Sequence, residues 1–433
     1  MERLTGQAEW VARARAVMPA GGFGNFDPGL VIREGSGARV RDEDGREYVD
    51  FLTGSGPLVL GHRHPEVIEA VVEQLGRGQT FYANNAQGIA LAEEIVRAVP
   101  CAEQVRFVSA GGEAFMFAVR VARAATGRSK ILKFEGGYHG MAPEAQMSLA
   151  PKRLVNFPSP VPDSAGIPDG VAAEVLVAPF NDPAFLSSIM AERGAEIAAV
   201  VMEPFQRIIP PEPGFLETVR AECDKAGALL LFDEIVTGFR FAYGGAQEYY
   251  GVVPDICTLG KILGGGFPLA AFAGRAEVMA CLDKALTGED RWLMHSGTLS
   301  GNPVAAAAGL KTLEILRRDG QYPRLRANGE AVMRMAAEAL AAEGVTHTIL
   351  GDATLFDVVL APGPIRDYRG VMRADAAATE AFNAALREAG VLRPPGKLYI
   401  SLALTEADLA LTETALRHAA RAAAGVSARA PAA

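Results

Sequence analysis

Between residues 106 and 232 the chain repeats one pattern: a short apolar run, then an amphipathic stretch. The runs are Arg106–Ser109, Lys130–Phe134, Glu174–Ala178, Ala198–Met202 and Leu229–Phe232. Most read as apolar on both faces, the mark of strands covered on two sides rather than one. Glu113–Ala125 and Gly214–Ala226 carry helical periodicity between them. Strand and helix in alternation predict βα units and a mainly parallel sheet, which leaves few fold classes open.

The ends of the chain read differently. ARVRDEDGREYVDF alternates polar and apolar residues around Asp44-Gly45, a β-hairpin signal. After about Tyr322 the pattern changes to Ala-rich helices and short strands, including Thr354–Leu360 and Leu398–Leu402. At 433 residues, length alone suggests about three domains. The pattern instead suggests two: a large α/β domain over 61–322, and a smaller α+β domain assembled from 1–60 and 323–433. The last stretch, 427–433, is expected to fray.

Composition enters as a filter. The formal net charge is −9, so no basic field attracts nucleic acid or an anionic membrane. No apolar run approaches the roughly 20 residues that span a bilayer. The N-terminal MERLTGQAEW lacks the layout of a secretory signal, and the expectation is a cytoplasmic protein. Cys101, Cys223, Cys257 and Cys281 are scattered, which suggests neither a disulfide framework nor a metal site. Only eight of the 42 basic residues are lysines, so chemistry that needs an amine has few candidates.

Four short segments carry candidate chemistry, each with a bland reading beside it. Asp233 closes the apolar run Leu229–Phe232, where ligands gather in a parallel sheet, though a strand-end acid also serves as a helix cap or surface charge. Lys261 lies among apolar and glycine residues in TLGKILGGG. Such surroundings lower an amine's pKa and suit Schiff-base chemistry, although an exposed lysine in a glycine loop reads the same. Its glycines follow the lysine, so this is not a phosphate-binding P-loop. Ser109-Ala110-Gly111-Gly112-Glu113 turns a strand into a helix and would let N–H groups converge on an anion. Tyr138 and His139, in Gly136-Gly137-Tyr138-His139-Gly140, would stack on a flat ligand or simply pack a turn. Together they supply an anion site, a ring platform, a carboxylate and an amine. Pyridoxal phosphate requires that set.

With these segments in order, the chain resembles the class III, fold-type I, pyridoxal-phosphate-dependent aminotransferases. It is most similar to the branch holding glutamate-1-semialdehyde aminomutases and β-amino acid aminotransferases. GHRHPEV, TGRSKILKFEGGYHG, VMEP, LLFDEIVTGFR, TLGKILGGGFP and HSGTLSGNPVAAAAGL carry the resemblance, which runs over nearly the whole chain. It implies a large domain with a mainly parallel sheet of seven strands. It also implies that Lys261 forms the Schiff base and shuttles a proton, and that Asp233 binds the pyridine nitrogen. Ile235 and Tyr138 would hold the ring. Ala110, Gly111 and Gly112 would form the phosphate cradle, and Glu203 would support the cofactor's surroundings. Thr298 would reach the phosphate of a neighbouring subunit, making the active unit a homodimer.

Two departures stand out against that family. Its phosphate segment usually reads Ser-Gly-Thr-Glu-Ala, and here Ala110 and Gly112 lack the two hydroxyls. Each hydrogen bond lost to a charged group costs about 1.5–3 kcal/mol unless replaced. The aminomutase segment Asn-Ser-Pro-Val-Arg is also missing, as is the later Phe-Glu-Ala-Gly-Phe, so the usual substrate arginine is absent. Arg207 and Arg393 are candidate replacements or surface residues. Phe23, Phe26, Tyr82 and Phe205 are candidate pocket lining or core. His62, His64 and His295 are assigned structural roles first. The expected activity is ping-pong transfer of an amino group from a small-molecule donor to a carbonyl acceptor. The alternatives are intramolecular transfer by an aminomutase, or a non-catalytic relative that binds the cofactor. No GxGxxG opens an early βα unit, which argues against a dinucleotide-dependent dehydrogenase.

Overall fold

The computed structural model describes residues 6–427; the frayed tail expected over 427–433 lies, beyond Ser427, outside the described residues. In chain order the strands are β1 (Ile32–Ser36), β2 (Arg39–Asp42), β3 (Glu47–Asp50), β4 (Gln104–Val108), β5 (Lys130–Phe134), β6 (Val175–Ala178) and β7 (Ile197–Met202). Then follow β8 (Leu229–Glu234), β9 (Ile256–Leu259), β10 (Ala270–Gly274), β11 (Thr348–Asp352), β12 (Leu355–Val359), β13 (Val391–Leu392) and β14 (Leu398–Tyr399). The chain divides into two units: Glu66–Tyr322 with Pro364–Met372, and Met1–Pro65 with Pro323–Gly363 and Arg373–Ala433.

The larger unit is built on a seven-stranded sheet in the order β4-β10-β9-β8-β7-β5-β6. Strands β9, β8, β7, β5 and β6 are parallel neighbours, and β10 runs antiparallel to both β4 and β9. Six strands therefore share one direction. Every residue of β6, β7, β9 and β10 is buried, as continuous apolar runs require when both faces are covered. The helix Gly111–Thr126 covers one face. Its Ala114, Phe115, Ala118, Val121 and Ala122 form a stripe that packs on Ala199, Val201, Leu231 and Phe272. That helix ends at Gly127, whose left-handed backbone donates its N–H to Arg123 O.

The smaller unit holds the expected hairpin. β1, β2 and β3 form an antiparallel meander, joined by β13 running parallel to β3. Asp42 closes the turn by accepting from Asp44 N and Arg46 N, and His62 sits 2.8 Å from Asp50 as a structural partner. A second sheet orders β11-β12-β14. The strand expected over Leu398–Leu402 stops at Tyr399, because Leu402 N turns to Val59 O instead of continuing the ladder.

One boundary differs from expectation. The whole of 323–433 was assigned to the smaller unit, yet 364–372 pack with the larger one. Arg369 forks onto buried Glu135 at 2.7 and 3.1 Å and also donates to Val155 O. Tyr368 lies against Gly136, where a Cβ would come within 2.6 Å of it. Composition changes at 322, but an ion pair over 234 residues of chain leaves no local signal. Among the described residues no helix is long and apolar enough to cross a membrane.

Candidate active site

Parallel strands deliver their carboxyl ends to one edge of a sheet, and the singled-out residues of the larger unit sit there. Across β9, β8, β7 and β5, adjacent in the sheet, come Lys261, Asp233, Glu203 and the Tyr138 loop. β4 runs the same way and leads into Ala110-Gly111-Gly112 at the start of the helix Gly111–Thr126.

Asp233 is buried, and three groups hold it. Its Oδ1 accepts from Thr258 Oγ1 at 2.9 Å and from Ile235 N at 3.2 Å, and its Oδ2 lies 2.7 Å from His139 Nδ1. Thr258 is the residue directly across the ladder from Asp233, so strand register alone supplies that bond. The next residue, Glu234, points the opposite way, as successive strand side chains must. It caps the Gly245–Tyr250 helix by accepting from Ala246 N and Gln247 N, and burial pushes its carboxyl up from the usual range. Of the Asp-Glu pair, only Asp233 faces His139.

Of the two readings for His139, the structure takes the packing one: the ring is buried and lies flat on Phe115, with centroids 5.1 Å apart. Nδ1 meets Asp233, while Nε2 is buried without a hydrogen-bond partner. Tyr138 keeps the exposed role, with 39% of its surface accessible. Its backbone N–H donates to buried Glu203 at 2.9 Å, and the Arg207 guanidinium lies 5.2 Å above its ring.

Lys133, which the sequence reading passed over, underpins this loop. It is fully buried on β5 and donates to Met147 O at 2.6 Å, Ala145 O at 3.0 Å and Gly137 O at 3.4 Å. Burial pushes its amine down to about 7. A lysine inside an otherwise apolar strand was the available signal.

Three close approaches gather the segments. Ile235 Cδ1 would lie 3.0 Å from a Cβ on Gly111 and 2.9 Å from one on Gly260, so its side chain touches both the helix start and the residue before Lys261. A Cβ on Gly140, at φ +90°, would come 2.6 Å from Gly112 Cα, which brings the Tyr138 loop onto the same turn. Lys261 opens the 3₁₀ turn Lys261–Gly264 with φ +49°, a left-handed conformation that costs a non-glycine residue about 1–3 kcal/mol and concentrates at functional sites.

The helix start shows how the anion cradle is built. Glu113 reaches back to Ser109 N at 2.8 Å and Ala110 N at 3.2 Å. Ala110's N–H is therefore already satisfied, and the donors without an intrahelical acceptor begin at Gly111. A Cβ on Gly112 would lie 3.6 Å from Met141 N and 3.8 Å from Gly140 Cα, so the Tyr138 loop borders the helix start. With a carboxylate, an amine, a platform and a positive helix end on one edge, these residues fit a flat, phosphate-bearing ring that carries an aldehyde.

The remaining candidates lie elsewhere. Thr298 is exposed on the turn before Asn302, which caps the helix Pro303–Leu316. Tyr82 is 75% exposed, its hydroxyl 3.3 Å from Ser296 Oγ. Phe205 is a core residue, edge-on to Phe241 at 4.9 Å. His295 is half-buried, edge-on to Phe117 and Phe272. Phe23, Phe26 and Arg393 belong to the smaller unit. There Phe23 is exposed, Phe26 packs against Val40, Tyr48 and Leu392, and Arg393 is buried against Asp357.

Known proteins resemble this chain in sequence and in fold. A glutamate-1-semialdehyde 2,1-aminomutase of Syntrophomonas wolfei is 40% identical over 93% of this chain and 95% of its own. An omega-transaminase from Sphaerobacter thermophilus superposes with a TM-score of 0.91 at 34% identity, covering 98% of both chains. A transaminase solved with pyridoxal phosphate bound gives 0.88 at 32% identity, again over 98% of both chains. The model of the family described as aminotransferase class-III matches residues 24–418, and this chain belongs to that family.

Proposed function

We propose that the protein is a pyridoxal-phosphate-dependent aminotransferase, moving an amino group from an amino acid or amine to an oxo acid or other carbonyl acceptor in two half-reactions. The observation that carries this reading is Asp233, buried and held by His139, Thr258 and Ile235 N, one strand from Lys261. Pyridoxal phosphate, when bound, supplies an aldehyde that captures amines and a ring that withdraws electrons once its nitrogen is protonated. Asp233 would hold that ring proton, and the contacts from His139, Thr258 and Ile235 N fix the orientation of its carboxylate. Lys261 would hold the aldehyde through its amine, and its free amine would be the group that moves a proton at the substrate carbon. Gly111 and Gly112 would donate N–H groups to the phosphate at the positive end of their helix. Tyr138 and Ile235 would pack against the ring, and Glu203 holds Tyr138 in place through its backbone.

In this reading the enzyme is a cytoplasmic homodimer, with Thr298 of one copy reaching the phosphate held by the other. Exposed Met294, Leu299 and Tyr82 around the Thr298 segment support a covered surface there. Lys261→Ala should abolish turnover together with the absorbance that arises from covalent attachment of the cofactor to the lysine. Wild-type activity in that variant would overturn the assignment. A second reading, intramolecular transfer by an aminomutase, is favoured by the name of the Syntrophomonas relative. One oxo product released per amine transferred supports the aminotransferase; isomerisation of an amino aldehyde with no free co-product supports the aminomutase.

A further inference from the structure

Two arginines remained as candidates to hold a substrate carboxylate, and the structure separates them. Arg393 is buried, with Nη2 2.7 Å from Asp357 Oδ1 and Nε donating to Pro394 O. Its charge is balanced inside its own unit. Arg207 occupies the opposite situation.

Arg207 is the first central residue of a two-residue turn closed in both directions, by Gln206 N to Ile209 O at 3.0 Å and Ile209 N to Gln206 O at 2.8 Å. Its φ is +62°, at a turn position that glycine normally takes. The mount is rigid: Ile208 and Ile209 are buried, and buried Gln206 donates to Glu135 O at 2.7 Å. The side chain is half-buried, with its guanidinium 5.2 Å above the Tyr138 ring. Neighbouring acids are engaged elsewhere: Glu203 accepts from Tyr138 N, Glu135 pairs with Arg369, and Glu212 pairs with Arg366. Among the described residues no carboxylate pairs with Arg207. A planar donor fork, held by a strained turn over the exposed aromatic of the site, is left with its charge unanswered.

We infer that Arg207 is the specificity-determining residue that receives a substrate carboxylate, so the donors are amino acids and the acceptors oxo acids rather than simple amines and ketones. This rests on the aminotransferase reading above and deepens it.

The experiment compares the holoenzyme with Arg207→Gly and Arg207→Lys. Glycine suits φ +62°, so Arg207→Gly should melt no lower than wild type, and lost binding then cannot come from misfolding. Calorimetric titration with butanoate and with butanamide reads binding without turnover. Wild type should prefer butanoate by about 10- to 100-fold, Arg207→Gly should show no preference, and Arg207→Lys should fall between. In single turnovers, the ratio of kcat/KM for 3-aminobutanoate over 2-aminopropane should collapse in Arg207→Gly by a similar factor. Equal butanoate binding in wild type and Arg207→Gly, or an unchanged donor ratio, overturns the inference. If neither donor reacts with wild type, the aminotransferase reading fails, and the butanoate titration still decides the role of Arg207.

Discussion

Asp233 on β8 and Asp357 on β12 are both buried strand carboxylates, in different units, and their company differs in kind. Asp357 faces a full cation, Arg393, at 2.7 Å, with Val358 N as a further donor. Burial still raises its carboxyl, and the Arg393 charge opposes that rise. Asp233 is held by a threonine hydroxyl, a backbone N–H and an imidazole stacked on Phe115. An acid locked to an arginine has its charge answered, and it serves the fold. An acid oriented by hydrogen bonds keeps charge available for a cationic ligand atom. Burial is common to both, and what differs is who answers the charge.

Substitutions can break that contrast, beginning with the largest effect. Asp233→Asn keeps shape but removes the charge. It should lower kcat/KM by about 10²–10⁴-fold with little change in melting, and activity within fivefold of wild type would mean that Asp233 is structural too. Asp357→Asn leaves Arg393 buried without its counter-charge. Denaturant unfolding should show a loss of about 3–5 kcal/mol; a loss under 1 kcal/mol would mean that the pair is not the lock described.

Lys133 adds a case with the sign reversed, a buried cation with no facing carboxylate in its hydrogen-bond shell. Its folded pKa is about 7 against an ordinary lysine value of 10.5. Between those limits the unfolded chain binds more protons, so this group's contribution to stability rises as pH rises from about 7 towards 10. Below about 7 its penalty is complete. Lys133→Met should remove that pH-dependent gain in unfolding titrations. Above about pH 10, where the amine is neutral in both states, the substitution should cost about 1–3 kcal/mol, because the carbonyls of Gly137, Ala145 and Met147 lose their donor. An unchanged pH slope would count against the buried amine as its source. The smallest effect belongs to Thr258→Val, which takes one of three holders from Asp233. A fall in kcat/KM of about fivefold is expected, matching roughly 1 kcal/mol. A drop as large as that of Asp233→Asn would show that the hydroxyl does more than orient.

Legibility in the sequence followed the range of the interactions involved. The β5 run was readable to the residue, and the others within two or three at each end, because burial on both faces writes itself into consecutive apolar residues. The placement of Lys261, Asp233 and Tyr138 at one edge of the sheet was readable because each sits beside a local signal: a glycine run, a strand end, a glycine-flanked loop. For His139 both stacking on a ligand and packing a turn stayed open, since nothing local says that an imidazole after a glycine turn will lie on Phe115. Ala110 was legible as part of the helix start, and only the Glu113 geometry shows that its N–H is already satisfied.

By itself, then, the sequence determined the layering of the larger unit, the edge of the sheet where chemistry gathers and the family to which the chain belongs. Those follow from patterns that repeat within a few residues. Tertiary structure alone decided which acid of Asp233-Glu234 faces His139, that 364–372 join the larger unit, and that Arg207 rather than Arg393 has an unanswered charge. Each depends on partners 25 to 234 residues away in the chain, such as Thr258 for Asp233 and Glu135 for Arg369. Electrostatic fate is settled by neighbours in space, and those appear only once the strands have paired.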